Sequence, residues 1–252
     1  MPTYRLVLEY DGTDFVGWQR QAVGTSVQDV LEQALRSVLG GEEVHVVGSG
    51  RTDSGVHALG QVASFRCVTE RSGDALRMGL NSLLPAGVAC REAQRMRDDF
   101  HAMWSARRKT YRYRILDQGE RSPLRARYVW HMRTRLDVPA MARAAALVVG
   151  THDFTSFRGG GSDAKTSVRT IFSLDVARWE DEVRVSIEGG GFLRHMVRIL
   201  VGTLVDVGRR RLAPSAIGDI LAAKDRARAS RTAPAQGLCL VSVWYPEMEE
   251  DD

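Results

Sequence analysis

One carboxylate and one guanidinium lie two residues apart in a stretch rich in glycine and hydroxyl side chains: Gly48-Ser49-Gly50-Arg51-Thr52-Asp53-Ser54-Gly55-Val56-His57-Ala58-Leu59-Gly60-Gln61. Apolar runs enter it at 44–47 and leave it at 61–68. A carboxylate on a polar turn can act as a nucleophile or a base. The same composition also makes an Asx-turn or a helix cap, so Asp53 by itself leaves both readings open. On a turn, side chains two residues apart can diverge, and an Arg51–Asp53 ion pair is not implied. Two other stretches offer groups that a turn does not need. Arg107-Arg108-Lys109-Thr110-Tyr111-Arg112-Tyr113 sets an aromatic ring among four basic groups. Stacking on a base beside a phosphate backbone requires that combination, whereas a plain strand would use Tyr111 and Tyr113 as core residues. Arg194 and Arg198 fall four apart in a segment expected to be helical from 192 to 207, which puts them on one face. The ordinary alternative for such a pair is a solvated surface.

Several chemistries are excluded by what the chain lacks. The 48–52 run does not have the spacing of a phosphate-binding P-loop, and no GxGxxG fingerprint follows a strand. There is no GxSxG nucleophile elbow. His45, His57, His101, His131, His152 and His195 are scattered without metal-ligand spacing, and His57 is expected to be buried or capping rather than catalytic. Cys67, Cys90 and Cys239 are far apart and odd in number, so they read as reduced, with no disulfide framework and no zinc site.

The elements that must position these groups follow from periodicity. Residues 4–10 alternate as a strand, and Asp11-Gly12-Thr13 is a turn. Ser26-Val27-Gln28-Asp29 resembles a capping box, with Asp in place of Glu or Gln. Val27, Val30, Leu31, Ala34, Leu35, Val38 and Leu39 then keep helical spacing until Gly40-Gly41. Strands are expected at 43–47, 61–68, 88–96, 109–116 and 238–245, a hairpin at 168–179 and 183–188, and helices at 74–84, 136–149, 192–207 and 214–224. Residues 152–165 read as a mobile Gly/Ser/Asp-rich loop, and the acidic end from Glu247 to Asp252 as a solvated tail. The class is α+β, with two similar halves, each a mostly antiparallel sheet with helices on one face. The domain boundary is placed at 105/106, giving 1–105 with the aspartate loop and 106–252 with the tyrosine and the arginine.

The chain has 252 residues, 44% hydrophobic and 26% charged, with a formal charge of +4. That is globular composition. No apolar run has the length of a membrane span and no signal peptide opens the chain, so a cytoplasmic location is expected. The only lysines are Lys109, Lys165 and Lys224, so arginine carries the positive charge. Guanidinium suits bidentate phosphate contacts and stacking on bases, though a coding bias toward arginine would produce the same excess.

Taken in register, the motifs resemble those of the TruA family of tRNA pseudouridine synthases. Gly50-Arg51-Thr52-Asp53-Ser54-Gly55-Val56-His57-Ala58 is similar to that family's active-site loop, with Ser54 where the family often has Ala. Tyr10-Asp11-Gly12-Thr13 with Phe15 and Gly17-Trp18-Gln19, Asn81-Ser82-Leu83-Leu84-Pro85, Phe100-His101-Ala102, Lys109-Thr110-Tyr111-Arg112-Tyr113, Asp153-Phe154-Thr155-Ser156-Phe157, Gly191-Phe192-Leu193-Arg194-His195-Met196-Val197-Arg198 and Ala235-Gln236-Gly237-Leu238 match in the same order. The resemblance implies that Asp53 is the catalytic nucleophile. It implies that Tyr111 stacks on the target base, that Arg198 pairs with the aspartate and that Arg51 helps flip the nucleotide. It further implies a homodimer with an active-site cleft between the two halves of each chain. The implied substrate is uridine 38, 39 and 40 of the tRNA anticodon stem-loop, with no cofactor, no metal and no membrane. In the implied chemistry a carboxylate attacks C1′ or removes a proton in an elimination route through a glycal, and both routes need Asp53 ionised. The readings that compete are a non-catalytic RNA-binding protein with a structural Asp53, and a glycosidase-like hydrolase, for which a second carboxylate is not evident.

Overall fold

The computed structural model describes residues 1–69, 71–161 and 164–246, so the acidic tail lies outside the described residues. In chain order the strands are β1 Thr3–Tyr10, β2 Val47–Gly48, β3 His57–Arg66, β4 Val88–Met96, β5 Arg108–Asp117, β6 Trp130–Met132, β7 Gly150–Asp153, β8 Val168–Trp179, β9 Glu182–Gly189 and β10 Leu238–Trp244. The helices are α1 Val27–Val38, α2 Gly73–Asn81, α3 Val138–Ala146, α4 Met196–Gly208 and α5 Ala216–Ala223. They divide into two compact units, residues 1–107 with the described residues from Leu240 on, and residues 108–239.

In the first unit β1 is central, antiparallel to both β3 and β4. Its alternation buries Tyr4, Leu6, Leu8 and Tyr10, the face expected from the pattern. β2 pairs with the far side of β3 at Val47↔Ser64, and β10 completes the order beyond β3. α1 begins at the predicted capping box: the Ser26 hydroxyl accepts from the Asp29 amide at 3.1 Å, and Asp29 accepts from the Ser26 amide at 3.2 Å. Its apolar stripe, with Val27, Leu31 and Leu35 fully buried, is what holds so short a helix in place.

In the second unit β5, β9, β8 and β7 are antiparallel neighbours, with β6 parallel to β5. α3 packs on β8 and on α4. The expected mobile loop at 152–165 opens instead with the end of β7 and a helical turn at Thr155–Phe157, and Phe154 and Phe157 are fully buried. Ser162 and Asp163 of that loop lie outside the described residues. The helix expected from 192 starts at Met196, because His195 takes a left-handed backbone, φ 59° and ψ 2°. Arg194 therefore precedes α4, and the shared helical face assigned to Arg194 and Arg198 does not exist. The Arg194 carbonyl accepts from the Gly159 amide at 2.8 Å and its guanidinium donates to the Gly161 carbonyl at 3.1 Å. Among the described residues no helix is long and apolar enough to cross a membrane.

Candidate active site

Asp53 lies in the turn between β2 and β3, half-buried, with Arg51 exposed two residues before it. The turn is fixed from three sides. Asp53 forms a β-bridge with Gly17, the Trp18 amide donates to the Thr52 carbonyl at 3.1 Å, and the Val56 amide donates to the Asp53 carbonyl at 3.1 Å. Gly17 has φ +112°, and a Cβ there would stand 2.7 Å from the Thr52 carbonyl oxygen. Only glycine fits so close a bridge without displacing the loop. Beneath the loop runs a buried polar chain. The Thr52 hydroxyl bonds the Tyr10 hydroxyl at 2.8 Å, Gln61 Nε2 donates to the Gly50 carbonyl at 3.0 Å and approaches the Tyr10 oxygen at 3.4 Å, and the Ser49 hydroxyl donates to Gln61 Oε1 at 2.7 Å. These side chains are all under 10% exposed, so each bond is made away from water, where an unmet partner is costly.

His57 is buried, as expected, with its Nδ1 accepting from the Gly12 amide at 3.0 Å. Asp11 Oδ1 lies 3.1 Å from the same nitrogen. The bond from the Gly12 amide ties the 10–13 turn to the end of the loop.

The other two expected site residues belong to the second unit. Tyr111 sits on β5 opposite Ile187, buried, with its ring edge-on to Phe192 at 5.3 Å and 90°. Arg198 is in the first turn of α4 and half-buried. Its Nε donates to the Ala233 carbonyl at 2.8 Å, and the Ala233 amide donates back to the Arg198 carbonyl at 3.0 Å. The same segment accepts the Tyr113 hydroxyl at the Pro234 carbonyl, 2.7 Å away. Burial pushes the Tyr113 phenol far above its ordinary value, against an opposite pull from Arg198 and Arg231. Gly202 of α4 lets this segment approach: a Cβ there would meet the Arg231 carbonyl oxygen at 1.9 Å. Arg198, β5 and residues 231–234 are thus one locked assembly. The basic flank of Tyr111 is partly paired, Arg108 bonding Glu188 at 3.0 Å. Burial pushes Lys109 down to about 8.

Other chemistry is poorly supplied. Burial pushes the Cys67 and Cys90 thiols up to about 11, so neither is a ready nucleophile. Among the described residues no group of three or more His, Cys, Asp or Glu side chains could hold a metal ion. Sequence reasoning missed the Thr52–Tyr10–Gln61–Ser49 chain. Its one signal was Gln61, a long polar side chain at a position that alternation assigns to the interior.

Comparison with known proteins gives one consistent answer. A family model described as tRNA pseudouridine synthase matches residues 6–105 and again 144–246, a repetition in keeping with two similar α+β halves. The curated "tRNA pseudouridine synthase A" of Syntrophotalea carbinolica is 53% identical over 97% of this chain and 97% of its own. Those of Acetivibrio thermocellus and Thermoanaerobacter sp. strain X514 are 45% and 43% identical, each over 97% of this chain and all of their own length. The aspartate loop, its buried supports and the match across both halves lead to one conclusion: this chain belongs to the tRNA pseudouridine synthase family.

Proposed function

We propose that this protein isomerises uridine to pseudouridine in tRNA, at positions 38, 39 and 40 of the anticodon stem-loop. Asp53 is the nucleophile, Tyr111 the stacking surface for the target base, Arg198 the counter-charge to Asp53, and Arg51 the group that helps turn the nucleotide out. The N1–C1′ bond breaks, the uracil turns, and a C5–C1′ bond forms. The C5 proton leaves to solvent and N1 takes one up, so nothing is gained or lost overall. The Asp53 carboxylate serves this either by attack on C1′, as in retaining glycosidases, or by removing a sugar proton to give a glycal. A base within a stem must first be extruded, at a cost of a few kcal/mol, of which stacking returns roughly 1–3 kcal/mol. The enzyme works in the cytoplasm as a homodimer.

The observation that carries this reading is the mounting of Asp53. The half-buried Asp53 is held by a backbone bridge to Gly17 and its loop by a buried hydroxyl–amide chain, far more support than a surface turn requires. The test is tritium release from tRNA labelled at uridine C5. Asp53→Asn is expected to bind tRNA and release none. Undiminished release would remove Asp53 from the chemistry and favour a merely structural aspartate.

A further inference from the structure

At the far end of α4 from Arg198 is an open concavity of about 570 Å³, with Arg135, Arg209, Arg210 and Arg211 in its wall. Arg198 is in the first turn of α4 and Arg209 is its C-cap, so the two positions are about 17 Å apart along the helix axis. Cations at a helix C-terminus are favoured by its dipole, and that accounts for one or two of these arginines. It does not account for the backbone of Arg210. The α4 terminus closes with the Arg211 amide on the Asp206 carbonyl at 2.9 Å and the Arg210 amide on the Val207 carbonyl at 2.8 Å. This is the pattern that puts its central residue in the left-handed region, where glycine is preferred. Here Arg210 occupies it at φ 59°. A strained backbone kept for a side chain that reaches solvent points to a use for that side chain.

The local carboxylates do not consume the charge. Arg210 meets Asp137 at 3.2 Å, Arg211 meets Asp206 at 3.5 Å and Arg135 meets Asp117 at 3.5 Å. The three guanidinium side chains are 82%, 58% and 63% exposed, and such pairs are weak enough to yield to a phosphate. Asp117 is already occupied by both nitrogens of Arg178, each at 2.7 Å. A single small anion would be held poorly in so open a site. A run of phosphates gains from the counterions it releases.

We infer that this concavity is a second RNA-backbone contact, which holds phosphates of the tRNA away from the nucleotide being isomerised. The inference rests on the proposed activity on tRNA. The test measures binding of tRNA to the full chain between about 50 and 200 mM salt. Removing one arginine–phosphate pairing reduces the log–log salt slope by about 0.9, which is about eightfold in affinity at 0.1 M salt. Arg209→Gln and Arg210→Gly should each show that reduction, with KM for tRNA raised. Arg210→Gly places the favoured residue in the left-handed position, so its melting temperature should hold or rise, which separates weaker binding from impaired folding. The charge control is Arg36→Gln on α1, whose arginine is 61% exposed and paired with Glu43. An unchanged slope in the Arg209 and Arg210 variants, or an equal reduction in the Arg36 variant, would overturn the inference. If the wild-type chain does not bind tRNA at all, the proposed activity falls instead.

Discussion

Thr52→Val tests whether the buried chain under the loop sets the position of Asp53. The substitution keeps the shape of the side chain and removes Oγ1, the partner of the Tyr10 hydroxyl at 2.8 Å. Of the hydrogen bonds described for that hydroxyl, the contact with Gln61 Nε2 remains, and at 3.4 Å it is long. Tyr10 is only 3% exposed, so water does not readily replace the missing partner. Breaking one side of a buried hydrogen bond costs about 1–3 kcal/mol, and for a protein of this size about 2–4 °C of melting temperature per kcal/mol. The central expectation is a fall of about 4–8 °C. Thr52 is covalently next to Asp53, and if Asp53 is the nucleophile proposed above, a shift of about 1 Å in it costs up to about a hundredfold in rate. Single-turnover tritium release should therefore drop on the order of ten- to a hundredfold, with KM for tRNA little changed, because the loss is in the transition state. Tyr10→Phe should show a similar loss. The double variant should lose less than the sum, since two apolar groups of matching shape leave neither hydroxyl unmet. Wild-type turnover in Thr52→Val, or strict additivity in the double variant, would refute this reasoning.

Gly17→Ala should be destabilised by at least about 1–2 kcal/mol from the positive φ alone, and further by the contact with the Thr52 carbonyl. It should also lose most activity, because the bridge to Asp53 must open; a melting curve that overlays wild type would contradict this. Lys109→Met tests the burial that pushes Lys109 down to about 8. Below pH 8 both the folded and unfolded chains carry this proton, and the folded chain bears the desolvation cost. Between about 8 and the ordinary 10.5 only the unfolded chain holds it, so the wild type gains stability as pH rises. The variant should thus be more stable than wild type at pH 7 by denaturant melts, with the advantage shrinking toward pH 10. A difference that does not vary with pH would refute it.

Local chemistry was legible in the residues themselves. Ser26 and Asp29 specify the start of α1, because a cap is satisfied within one turn. The polar residues Glu180 and Asp181 separate β8 from β9, because alternation and a turn suffice to make a hairpin. Tyr10, Gly17 and Asp53 could be named as motif residues, but not why they occur together. What failed was whatever depended on partners distant in sequence. β7 was hidden in a polar loop, since Gly150–Asp153 becomes a strand only by pairing with β8. The break before α4 was hidden because His195 has no glycine to announce a left-handed backbone, and contacts across 159–161 hold the segment just before it.

The catalytic reading shows the same division. The sequence by itself determined the residue types at the loop, the strand and the helix, and their order was enough to mark the family. Only the tertiary structure decided that Asp53 is braced from below by Tyr10 and Gln61, through Thr52 and Gly50, from positions 8 to 43 residues away. It also decided that Arg198 is locked to residue 233 and separated from Arg194 by a broken helix start. Periodicity reports which face a side chain takes, since that follows from local backbone geometry. Which buried hydroxyl meets which amide is fixed only when the strands come into register, and no local pattern carries that information.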